Sequence, residues 1–182
     1  DLHSFPTRRS SDLFVIDENF NDVADGEEGE VVVRGPYTIQ RYYSDVPANR
    51  ESFRDGFYCT GDKGLKLPSG DIRITGRVKE QINRAGEKIM PSEVEAWLLS
   101  VPSIKECAVV GVNDEILGTA ICAFYIGEEE LSLQEVVSLL RDQHIEDCCI
   151  PDRLKRLESW PLTAVGKIDK NRLKELASND RR

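Results

Sequence analysis

Residues 76–89 read GRVKEQINRAGEKI, and the chain changes character across them. Upstream, from Phe14 to about Gly76, the signals are short strands and tight turns. Phe14-Val15-Ile16-Asp17 is strand-like, and the acidic turn cluster Asp25-Gly26-Glu27-Glu28-Gly29 follows it. Residues 30–34, EVVVR, read as a strand ended by Gly35-Pro36. Asp55-Gly56 and Ser69-Gly70 read as hairpin turns. This half is β-rich and small for an independent domain, so it makes sense as the last subdomain of something larger.

Downstream, from about Glu80, the pattern is mixed. Ser92 and Glu95 form a capping box after Pro91, and Val94, Trp97, Leu98 and Val101 recur at helical spacing. Residues 107–112 and 120–126 are strand-like runs, with a turn-like Asn113-Asp114 between them and Leu117-Gly118 at the start of the second. Ser132 and Glu135 form a second capping box, opening a helix with Val136, Val137, Leu139 and Leu140 inward. Asp169 caps a last helix carrying Leu173 and Leu176. The order of elements predicts a small α+β domain with helices on a sheet.

The full chain of 182 residues fits one or two domains. Apolar residues make up 40%, enough for a real core, which excludes global disorder. No long uncharged apolar run occurs, so no membrane-spanning helix is expected. Acidic residues outnumber basic ones by 33 to 24, a net charge of −9. That balance argues against nucleic acid as the main partner, yet a few placed cations suffice for a small phosphate ligand. The cysteines are Cys59, Cys107, Cys122, Cys148 and Cys149, with no CxxC spacing, and His3 and His144 lie apart from any ligand pattern. No zinc site is expected. Reduced thiols in a cytoplasmic setting are the plain reading, with a strained Cys148–Cys149 bridge as the minor alternative.

Residues 1–13, DLHSFPTRRSSDL, show no hydrophobic period and no signal-peptide core. One choice of codons back-translates them as a common short-read sequencing adapter. The expectation is an unstructured assembly artefact, with the genuine protein starting upstream of Phe14. Other codons in the nucleotide record would overturn it.

Three stretches carry unusual chemistry for their position. Tyr58-Cys59-Thr60-Gly61-Asp62 presents a carboxylate after a glycine, able to accept from two adjacent hydroxyls such as those of a ribose. Alone, Thr-Gly-Asp is usually just a turn. Residues 76–89 hold Arg77, Lys79, Arg84 and Lys88 with two glycines, which suits either a solvated hairpin or a mobile loop reaching a polyanion. Residues 161–170, PLTAVGKIDK, place Lys167 after a glycine in a Pro-started loop. Taken singly, an exposed surface lysine is the ordinary case.

In this order and at these distances, the stretches resemble the C-terminal part of the adenylate-forming enzyme superfamily. The resemblance is dense from Gly29 to about Leu173. Residues 34–39 with Tyr42-Tyr43, residues 81–88 and residues 150–153 look most like the aryl-acid activating branch, the 2,3-dihydroxybenzoate–AMP ligases of siderophore biosynthesis. The resemblance implies a β-rich end of a large N-terminal domain over 14–78, then a small mobile mixed α/β C-terminal domain over 79–178, then a tail over 179–182. It implies that Asp62 and Arg77 hold ATP or AMP, that Lys79 is the hinge, and that Lys167 is the catalytic lysine of adenylation. It implies a thiolation loop of Arg84, Gly86, Glu87 and Lys88, bordering the tunnel for a phosphopantetheine arm after the small domain rotates.

The implied partners are an aryl acid, ATP with Mg2+ bound mainly by an upstream domain, and an acyl or aryl carrier protein or CoA. No metal ligand is expected in this stretch, and the fragment alone is expected to be inactive. Two departures from the family pattern stand out: Cys148-Cys149 before Ile150-Pro151, and Thr119 after Leu117-Gly118. Rival readings are an acyl-CoA synthetase of the same superfamily and a non-catalytic module that docks a carrier protein.

Overall fold

The Asp55-Gly56 and Ser69-Gly70 turns both close antiparallel strand pairs in a computed structural model, which describes residues 12–179. The chain divides into two compact units, one ending at Lys79 and the other starting at Glu80. No helix among the described residues is long and apolar enough to cross a membrane.

The first unit is one antiparallel sheet. Its strands are β1 (Asp12–Ile16), β2 (Glu28–Arg34), β3 (Phe53–Arg54), β4 (Phe57–Lys66) and β5 (Ile72–Arg77). Strand β4 is the organiser: β2 pairs along one edge, and β3 and β5 share the other. Val15, Ile16, Val31 and Val32 are buried. Gly64 is required there, because a Cβ would stand 2.7 Å from Val31 and 2.8 Å from Ile72.

Two features of the first unit differ from the sequence reading. Strand β1 begins at Asp12, so Asp12 and Leu13, expected to be unstructured, pair with Arg34 and Val33. A ladder bonds through backbone groups, so it extends past Phe14 whatever side chains it meets. The rest of the adapter-like stretch lies outside the described residues. A short helix, α1 (Val46–Ser52), was not anticipated; Asp45 caps it by accepting from the Ala48 amide, and Pro47 stands in its first turn.

The second unit opens with a hairpin of β6 (Ile82–Arg84) and β7 (Glu87–Ile89), followed by α2 (Pro91–Leu98). Strands β8 (Glu106–Asp114) and β9 (Gly118–Ile126) pair antiparallel, and β10 (Arg153–Arg156) joins β9 in parallel. Helix α3 (Leu133–Asp142) lies in the β9–β10 crossover, and α4 (Lys170–Asn179) takes in the first residue of the expected tail. A parallel neighbour needs such a crossover.

Both faces of β9 are buried. Ile121, Ala123 and Tyr125 join the cluster containing Val94, Leu98, Val136 and Leu140. Ala120, Cys122 and Phe124 join the cluster containing Leu173 and Ala177. The period-two alternation of the strand thus sends α2 and α3 to one face and α4 to the other. This is the mixed α/β small domain the sequence reading expected.

The Ser132–Glu135 capping box forms in both directions. The one read at Ser92 does not: α2 starts at Pro91, with Met90 as N-cap and no side-chain cap. Proline fits the first helical position, since its missing N–H would go unsatisfied there. Glu95 is drawn instead to the Val109 amide, 2.9 Å away. Leu139, read as inward, is 41% exposed, because α3 buries the stripe of Val136 and Leu140.

Leu140 is fully buried between helix and sheet. Leu140→Ala should cost about 2–5 kcal/mol of stability, read by denaturant unfolding of the second unit's signal.

Candidate functional site

The Thr60-Gly61-Asp62 stretch is a bulge in β4. Glu30 and Val32, two apart on β2, face Lys63 and Cys59, four apart on β4. The extra residues leave the ladder, and Gly61 takes φ +73°, which glycine adopts without steric cost. Thr60 staples the bulge: its hydroxyl donates to the Val31 carbonyl at 2.8 Å and accepts from the Asp62 amide at 3.0 Å. Asp62 then faces Arg77 across the β4–β5 pair, with Arg77 Nε 2.9 Å from Asp62 Oδ1. The two residues named for the nucleotide are therefore in contact.

Beside them is a cavity of about 290 Å³ whose lining includes Tyr42, Glu51, Tyr58, Thr60, Arg77 and Lys79. The Tyr42 and Tyr58 hydroxyls lie 3.1 Å apart, and that hydrogen bond pushes the Tyr58 phenol above its ordinary range. Asn49 holds the Tyr42 backbone, accepting from its amide and donating to its carbonyl. Lys79 donates to Glu51 at 2.8 Å, which raises the lysine's pKa. Neither Glu51 nor the Tyr42–Tyr58 contact was singled out from the sequence; both depend on pairings between residues 16 and 28 positions apart.

In the second unit, Ala85 and Gly86 form the β6–β7 turn with φ of +52° and +97°. Two left-handed residues in a two-residue loop match the right-handed twist of the strands. Glu87 and Lys88 are exposed. Arg84 is placed differently, turning inward with its side chain 17% exposed. Its Nη1 donates to the carbonyls of Asp147 and Cys148 at 2.9 and 3.0 Å, and its Nη2 to Asp152 Oδ1 at 2.6 Å. Asp152 Oδ2 also accepts from the Ile121 amide at 2.8 Å. Arg84 braces the base of the loop while residues 85–88 carry its outer part.

Lys167 leaves a tight turn. Thr163 donates its amide to the Lys167 carbonyl at 2.7 Å, and its hydroxyl accepts from the Lys167 amide at 3.2 Å. Gly166 takes φ +80°. Below the turn, Asp169 caps α4 through the Asn171 and Arg172 amides. Lys170 reaches Glu80 at 2.6 Å and Glu95 at 3.6 Å. The Lys167 side chain is exposed and makes no hydrogen bond or ion pair among the described residues. No group of three or more His, Cys, Asp and Glu side chains among the described residues is gathered for a metal.

Residues 93–167 match the family described as the AMP-binding enzyme C-terminal domain. Enterobactin synthase component E of Escherichia coli is 40% identical over 172 residues, 94% of this chain and 32% of that protein. The 2,3-dihydroxybenzoate-AMP ligase of Bacillus subtilis is 41% identical over 175 residues, 95% of this chain and 32% of that protein. Among solved structures, o-succinylbenzoate CoA synthetase of Bacillus subtilis in complex with its acyl-adenylate intermediate superposes with a TM-score of 0.80 at 29% identity. That match covers 91% of this chain and 34% of the other. The chain spans about a third of the length of the curated relatives it matches.

Asp152 serves Arg84 and β9 at once. Asp152→Ala should cost about 3 kcal/mol, since it strands a largely buried guanidinium and an amide together. Thermal unfolding checks this, and a change within experimental error would remove Asp152 from that role.

Proposed function

We propose that this chain, which carries the C-terminal domain of the AMP-binding enzymes, is the C-terminal part of an ATP-dependent aryl-acid ligase. On this reading the parent forms an acyl-adenylate and then acylates the phosphopantetheine thiol of a carrier protein. The chain alone lacks the aryl-acid pocket and most of the ATP site and does not adenylate. The observation that carries the reading is the exposed Lys167 ammonium, held on a fixed turn at the last residue of the family match.

The residues fit the roles. The ion pair with Arg77 uses Asp62 Oδ1, and a carboxylate has further lone pairs for ribose hydroxyls. The bulge fixes that carboxylate beside a cavity. In adenylation, a carboxylate oxygen attacks the α-phosphorus of ATP and pyrophosphate departs. Two anions must approach, and the Lys167 ammonium offsets their repulsion and stabilises charge on the phosphoryl oxygens. Mg2+ is assigned to the upstream part. In the second step a thiol attacks the acyl carbonyl and AMP departs. Rotation at Lys79, next to the division between the two units, would withdraw Lys167 and bring residues 84–88 forward. The reading places the parent in the cytoplasm.

A second reading, with CoA as acceptor, is favoured by the likeness to a CoA synthetase. Supplying carrier protein and CoA in separate assays distinguishes the two.

The tests use this chain fused to the upstream part of the Bacillus subtilis ligase. Lys167→Ala should lower pyrophosphate exchange by about 10²–10³-fold while thiolation from supplied acyl-adenylate persists. Unchanged exchange would remove Lys167 from its role. Lys79→Pro fixes φ at the hinge and should stall passage from the first half-reaction to the second. Normal rates in both would place the hinge elsewhere.

A further inference from the structure

Cys148 and Cys149 are consecutive, half-buried and free, and their sulfurs lie 3.6 Å apart in a short 3-10 turn, Asp147–Cys149. The backbone beneath them is held at several points. Arg84 donates to the carbonyls of Asp147 and Cys148, and the Cys149 amide donates to the Glu146 carbonyl at 2.9 Å. The backbone that carries the two sulfurs is thus held before any ligand arrives, which lowers the ordering cost of binding.

That spacing suits one bridging atom better than a direct bond. A disulfide needs about 2.05 Å between sulfurs and Cα atoms about 4.4–6.8 Å apart, whereas consecutive Cα atoms are about 3.8 Å apart. Two sulfurs each about 2.3 Å from one thiophilic centre lie about 3.3–3.8 Å apart as the angle at that centre runs from about 90° to tetrahedral. The protonation state points the same way. Burial, and then the hydrogen bond from Cys148, push the Cys149 thiol up to about 12. Alkylation and disulfide exchange need the thiolate. A condensation that expels water consumes neutral thiols.

We propose that Cys148 and Cys149 form a dithiol site that captures a thiophilic trivalent arsenical, both sulfurs bonding to one arsenic. With an arsenoxide, two As–S bonds form and the arsenic–oxygen bond breaks. The oxygen leaves as water with the two thiol protons, and nothing is oxidised or reduced. The second bond closes a ring within the chain, so the adduct resists displacement by a monothiol. The ring forms on the turn to which Arg84 anchors the 84–88 hairpin.

The test treats the full chain with phenylarsine oxide at neutral pH and reads intact mass. One adduct per chain is expected, equal to the reagent less one water. It should survive excess 2-mercaptoethanol and be removed by 1,2-ethanedithiol. Between Arg141 and Arg153 only these two cysteines occur, so tryptic mapping places the adduct without any variant. Cys148→Ser and Cys149→Ser should each lower monothiol-resistant labelling at least about tenfold, because each leaves a single bond. Absence of a monothiol-resistant adduct on the parent chain, its mapping to another peptide, or its persistence in both variants overturns the proposal. None of these readouts depends on adenylation.

Discussion

The carboxylate of Asp152 joins two strands of the second unit that are far apart in sequence. One oxygen takes the Ile121 amide of β9, and the other takes the guanidinium of Arg84 at the end of β6. Strand β10 begins at the next residue, with Arg153 opposite Cys122. A parallel strand arrives by a long crossover, and nothing in the crossover itself sets which residues pair. Asp152 pins one end of that register, its carboxylate accepting from the Ile121 amide while its own amide donates to the Ile121 carbonyl. The same carboxylate adds to what holds the hairpin: its own three-residue pair, the bond from the Ala85 amide to the Leu117 carbonyl, the Arg84 bonds to the Asp147 and Cys148 carbonyls, and the burial of Ile82 and Ile89. Both partners are largely removed from water, so removing one leaves the other costly.

A second clamp does for α4 what Asp152 does for β10. Lys170, in the first turn of the helix, reaches Glu80 and lies within 3.6 Å of Glu95, and Glu95 in turn accepts from the Val109 amide of β8. Together with the Asp169 cap, this holds the foot of the turn that carries Lys167. The turn closes on itself through Thr163. Its backbone is therefore specified while its ammonium has no partner among the described residues.

Much of this was legible in the chain. Gly-containing turns, the strand-like runs at 107–112 and 120–126 and the capping box at Ser132 each act through neighbours in sequence, and each forms. The failures share a cause. Glu95 reads locally as a capping residue, but Val109 and Lys170 compete for its carboxylate from 14 and 75 positions away. Arg84 reads as one of four cations in a loop, yet its partners lie 63–68 positions downstream. Leu139 fits a helical stripe only if the stripe is wide, and the width depends on what α3 packs against. The Asp62 bulge sits between these cases: the glycine signals it, but its staple is the Val31 carbonyl on another strand.

The contrast among three lysines bears on which of them would suit the proposed reaction between anions. The chain carries more acidic than basic residues, so carboxylates are plentiful. Lys79 and Lys170 each have one at hydrogen-bond distance. An ammonium so engaged has much of its field neutralised, and drawing it toward a phosphate first breaks the existing pair. Lys167 meets no carboxylate among the described residues, and the turn beside it keeps its backbone in place. A cation that must enter between two repelling groups and later withdraw loses least if nothing else holds it. By that argument Lys167 is the one of the three suited to the adenylation proposed above, while Lys79 and Lys170 are each engaged by a carboxylate of their own unit.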